Sequence, residues 1–169
     1  MLAYNTAFKP PMASREKAMW TNVIAVMAVC LSVNAAAAQT DVDMKWALGE
    51  VASEMQVCGD YFSVAARCLK PQRPNLATTY QVASDRIMLS AISGQRAAGM
   101  SDKAIVAQSL AYTELMMKAM NGNCSNIQVL LNRYMNFCLQ LDHDSTPRLK
   151  EWIACVHARQ QSCGGPGLP

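Results

Sequence analysis

The chain has 169 residues, with 15 basic and 12 acidic side chains for a net charge of +3, and half its residues are hydrophobic. That length allows one domain with a genuine core, and so apolar a composition excludes a disordered polymer. Lys9, Arg15 and Lys17 against Glu16 account for most of the excess charge. Beyond position 38 the chain holds 12 basic and 11 acidic residues, without the basic stripe interleaved with aromatics that a nucleic-acid binder needs.

The first element is an address. Arg15 and Lys17 precede an almost purely aliphatic stretch at residues 23–33, and then comes a small-residue run ending in Ala36-Ala37-Ala38. Positive n-region, short h-region and A-x-A site in that order predict a signal peptide over residues 1–38. The aliphatic core is shorter than the roughly 20 residues of a membrane span, and Thr21, Asn22, Ser32 and Asn34 dilute its ends. An uncleaved membrane anchor is the competing reading. Cys30 follows Val29 rather than a small residue, so it reads as part of the h-region and not as a lipid site. Translation can start at Met1 or Met12.

Residues 39–163 then read as a single all-α domain, a compact antiparallel bundle of about five helices, with residues 164–169 as a Gly/Pro tail. Helix 1 carries Met44, Leu48, Val51, Met55, Cys58, Phe62, Ala65 and Leu69 at alternating spacings of four and three, which is one helical seam. Asp41 and Asp43 mark its start, and Pro71 and Pro74 end it. Helix 2 is expected over residues 76–98, with Tyr80, Ala83, Ile87 and Ala91 inward and Gly94 weakening its second half. Gly99 is a left-handed stop and Ser101 an N-cap for helix 3. Helix 3 would bury Val106, Leu110, Thr113, Met117 and Met120, until Asn121 and Gly122 break it. Helix 4 carries Ile127, Leu131, Tyr134, Cys138 and Leu141, and helix 5 opens with Thr146 as cap and Pro147 at the first position. Leu149, Trp152, Ile153 and Val156 form its buried face. No segment alternates with the period of a strand.

Six cysteines follow the leader: Cys58, Cys68, Cys124, Cys138, Cys155 and Cys163. An even number in an exported chain implies three disulfides. The gaps between neighbours are 9, 55, 13, 16 and 7 residues, none matching the close pairs of a zinc site. Folding helices 4 and 5 back on each other near residue 144 would bring Cys124 and Cys163 within about 3 Å of register. That pair is therefore the expected bond, leaving Cys58 and Cys68 to pair with Cys138 and Cys155, and Cys58 and Cys138, both on apolar seams, are expected to meet in the core.

The expected chemistry is sparse. The only histidines are His143, between Asp142 and Asp144, and His157. A metal or acid–base site at His143 competes with a solvated turn, and neither a nucleophile elbow nor a phosphate loop is present. Glu50 and Glu54, a turn apart, read as a solvated face rather than paired catalytic acids. Met116, Met117 and Met120 could bind Cu(I), but their seam position favours core filling. Trp46 or Tyr61, if exposed, would mark an interface, but aromatic residues beside an apolar seam are more often core. The reading is a periplasmic or extracellular, non-enzymatic binding module (inhibitor-, immunity- or accessory-like). It needs no cofactor, and its partner is another exported or envelope protein. Copper handling through the methionines and a membrane-anchored form are the alternatives, and an unidentified hydrolase is a third.

Overall fold

A computed structural model describes the backbone of residues 13–158 and the side chains of residues 41–158. The leader's side chains with the predicted cleavage site and Cys30, together with Cys163 and the predicted tail, lie outside the described residues. Among those described the protein is all-helical: α1 (Ala13–Leu69), α2 (Pro74–Ala97), α3 (Asp102–Ala119), a 3-10 turn at Cys124–Asn126, α4 (Gln128–His143) and α5 (Thr146–His157). The chain divides into two units, Met1–Asp41 and Val42–Pro169, and the second holds the core.

The helix ends follow local chemistry. Pro74 opens α2, where its missing N–H costs nothing. α2 stops in a Schellman turn: Gly99 N–H bonds Arg96 O, Met100 N–H bonds Gln95 O, and Gly99 takes φ +95°. Ser101 caps α3 by accepting from the Ala104 N–H at 3.3 Å. α3 ends the same way, with Asn121 at φ 55° and the Gly122 N–H on Met117 O. At α5 the expected cap is displaced: Asp144 Oδ1, not Thr146, accepts a bond, from the Thr146 N–H at 2.9 Å.

α1 departs from the one-seam expectation. Val51, Cys58, Phe62 and Ala65 are buried as predicted, but so are Ala52, Glu54, Gln56, Val57, Asp60, Tyr61, Val64 and Ala66. From residue 51 to residue 66 the helix is enclosed on every side, and a helix so enclosed need not be amphipathic. Each neighbour touches a different strip of it. Ser84 on α2 donates to Gly59 O at 2.9 Å, and Gln56 donates to Ile105 O on α3 at 2.8 Å. Cys58 is bonded to Cys138 on α4, and Glu54 pairs with Arg148 on α5. Met44, at the far end of the predicted seam, is exposed.

α3 is rotated from expectation by one residue, about 100°. Val106 and Leu110 are exposed, whereas Ile105 and Met116 are buried. The cause lies on α1, whose buried Gln56 and Asp60 need polar partners. α3 meets that need by turning in Ser109 for Asp60 and Gln108 for the glutamine cluster.

Two disulfides are defined, Cys58–Cys138 and Cys68–Cys124, with Cα separations of 5.2 and 5.0 Å. Cys155 is also disulfide-bonded. The first pair meets in the core as expected; the second replaces the Cys124–Cys163 bond predicted from a hairpin. That hairpin does not form. Descending α1 through positions 68, 58, 54, 46 and 43, the partners ascend through Cys124, Cys138, Arg148, Trp152 and His157. α4 and α5 therefore run in tandem against the second unit's part of α1, α4 toward residues 58–68 and α5 toward residues 43–54. Cys124 lies at the Cys68 end, a whole α1 segment away from α5.

Candidate functional site

The N-terminal part of the second unit carries an open surface groove. Val42, Lys45, Trp46, Gly49, Glu50 and Ser53 lie three or four residues apart along α1, so they form one stripe facing the α2–α3 turn. With Ala98 and Met100 from that turn they line an open groove of about 380 Å³. The turn approaches closely because Gly49 has no side chain: a Cβ there would stand 3.1 Å from Ala98 Cβ. Most of its lining surface is apolar, and Lys45, Glu50 and Ser53 supply its polar side chains. Burial and the neighbouring Glu54 charge raise the Glu50 carboxyl above the ordinary glutamate range.

Trp46 is 45% exposed yet firmly held. Its ring meets Trp152 edge to face, with centroids 5.3 Å apart and planes at 76°. Trp152 is buried and lies under the Arg148 guanidinium, 5.1 Å from its ring centre. Arg148 in turn grips buried Glu54 through two bonds of 2.8 and 2.6 Å, and Glu151 through one of 2.6 Å. These carboxylates hold the guanidinium protonated well above its ordinary range, although burial opposes it. Glu54, Arg148, Trp152 and Trp46 thus form one stack running from the core to the surface.

A second polar cluster lies deeper. Gln95 Nε2 donates to Gln56 Oε1 at 2.6 Å and to Gln108 Oε1 at 3.1 Å, and Gln108 Nε2 donates to the Tyr112 hydroxyl at 3.0 Å. Beside it Ser109 Oγ donates to Asp60 Oδ1 at 2.6 Å, while Asp60 Oδ2 has no partner. Burial pushes the Asp60 carboxyl up to about 6, against the Ser109 bond and the Arg67 charge. This cluster ties α1, α2 and α3 together, and Gln95 Nε2 also reaches Ser53 Oγ of the groove wall at 3.4 Å.

The other candidates from the sequence are placed apart. Met116 and Met120 are buried in the core, with Met117 packed against it. Tyr61 is wholly buried among Phe62, Tyr80 and Tyr134, which raises its hydroxyl pKa far above the usual range. His143 is exposed; Asp142 beside it pairs with Arg86, and Asp144 caps the next helix. His157 Nδ1 lies 3.8 Å from Asp43. Glu54 is buried while Glu50, partly buried, lines the open groove, so the two do not share a solvated face. Among the described residues no His, Cys, Asp and Glu side chains gather as a metal site, and no helix is long and apolar enough to cross a membrane.

Sequence reasoning named Trp46 as an interface candidate but not the groove. The groove's spacing from Val42 to Ser53 is legible, but its other wall depends on where the α2–α3 turn lands. No protein-family model, curated relative or solved structure matches the chain.

Proposed function

We propose that this protein is an exported, disulfide-stapled helical binding module that captures a partner protein of the same compartment through the Trp46 groove. The carrying observation is Trp46 itself, a large half-exposed aromatic anchored from beneath by Trp152 and Arg148. Binding hot spots favour such residues, because a rigid aromatic loses little freedom on docking. Export is supported by the leader pattern and by the disulfides, which persist in oxidising compartments. On this reading the leader is removed after residue 38, and the five helices remain as the working bundle.

The test is a comparison of Trp46→Ala with the native protein, each immobilised and exposed to an extract of the compartment to which it is exported. A single species retained by native protein and reduced about 30-fold by the variant, with helical content unchanged, is the expected result. Equal retention by both forms, or none by either, would refute the groove's role.

A further inference from the structure

The second unit has nearly balanced charge, but the fold sorts it by position. Segments 61–84 and 112–137 come together at one end. Tyr61 contacts Tyr80 and Tyr134, and Cys68 is bonded to Cys124. These segments carry Arg67, Lys70, Arg73, Lys118 and Arg133 against Glu114, with Asp60 and Asp85 just beyond their bounds and Arg67 close enough to Asp60 to act on its carboxyl. The rest of residues 42–158 holds nine carboxylates and six cations. All five cations of the first group are exposed. The described ion pairs lie elsewhere, at Arg86–Asp142, Arg96–Asp102, Arg148–Glu54, Arg148–Glu151 and His157–Asp43. Helix dipoles account for Arg67, Lys70 and Lys118, which follow or end α1 and α3. They do not account for Arg73 at the start of α2, or for Arg133 within α4.

Among these cations stand exposed aliphatic side chains, Leu76, Leu115 and Val129. The aromatic residues of the same segments are buried or half-buried, so no ring is presented for a nucleic-acid base to stack on. Cations mixed with exposed aliphatics match an anionic lipid surface, where charge draws the protein in and the apolar side chains reach the headgroup layer. We infer that the end bearing Arg67, Lys70, Arg73, Lys118 and Arg133 docks peripherally on an anionic phospholipid bilayer. The Cys68–Cys124 bond ties the two basic segments together at one end, and the Trp46 groove, on residues 42–53 of α1, stays free. Docking is independent of what the groove binds.

The experiment is co-sedimentation of the oxidised protein, expressed with its own leader, with vesicles of phosphatidylglycerol and phosphatidylcholine or of phosphatidylcholine alone. Binding is expected to the anionic vesicles only, and to disappear near 0.5 M salt, where the Debye length is about 4 Å. Each cation at such a surface multiplies affinity about fivefold, so Arg67→Glu, Lys70→Glu and Arg73→Glu together should weaken binding by 100-fold or more. The corresponding triple glutamine variant, milder for folding, should weaken it by on the order of 100-fold. Equal binding to neutral vesicles, unchanged binding by both triple variants, or binding to soluble polyphosphate but not to vesicles would each overturn the inference.

Discussion

Two buried carboxylates on α1 meet opposite fates. Glu54 is matched by the planar fork of Arg148, whereas Asp60 has one hydroxyl and an unpartnered oxygen. Removing only Glu54 leaves a guanidinium without its buried partner. Glu54→Ala should therefore cost about 3–5 kcal/mol in urea unfolding, and Glu54→Leu with Arg148→Met should cost much less. Asp60 behaves in the reverse sense to a salt-bridged acid. Its folded-state pKa lies above the ordinary value, at about 6 against 3.8, so the folded form holds the proton more tightly. Its contribution is complete below pH 3.8 and is lost as pH rises through 6. The loss amounts to about 3 kcal/mol. Unfolding measured between pH 4 and 7.5 should show this decline in the native protein and a clearly smaller one in Asp60→Asn, whose amide can still bond Ser109 while Glu50 keeps its own raised pKa.

At the scale of elements, close approach to α1 sets what the neighbouring helices tolerate. A Cβ on Gly94 would stand 2.8 Å from Ala52 Cβ, which cannot swing aside, whereas one on Gly59 would meet the flexible end of Met88. Helix propensity alone favours alanine over glycine by about 1 kcal/mol at either site. Packing reverses that at Gly94. Gly94→Ala should lower the thermal midpoint, by a net of about 1–2 kcal/mol of stability, while Gly59→Ala should be close to neutral. The glycine that reads as a weakness of α2 in the sequence is the condition of its contact with α1.

Across the whole molecule, what could be read in the sequence was whatever depends on neighbours in the chain. The breaks at Pro74, Gly99 and Asn121 place α2, α3 and their ends closely, and the seam positions of Cys58 and Cys138 foretell their bond. What could not be read depends on partners far along the chain. The apolar period of α3 suggested Val106 and Leu110, but Gln56 and Asp60 impose a different face. The tandem course of α4 and α5 has no local mark, since a short link at residues 144–145 serves a reversal or a continuation equally. The basic end was partly visible: residues 61–84 contain three cations and no carboxylate. Its meaning emerges only when α3 and α4 bring Lys118 and Arg133 beside it. The Trp46 groove likewise needs the α2–α3 turn.

The cross-linking pattern also bears on how the protein is made. In an exported chain Cys58 and Cys68 would emerge first, with 9 residues between them, yet each finally joins a cysteine 80 or 56 positions further along. An oxidant acting on thiols in order of arrival would couple the wrong two. On the export reading proposed above, correct maturation needs a shuffling catalyst where the chain is delivered, or thiols kept reduced until the last helix arrives.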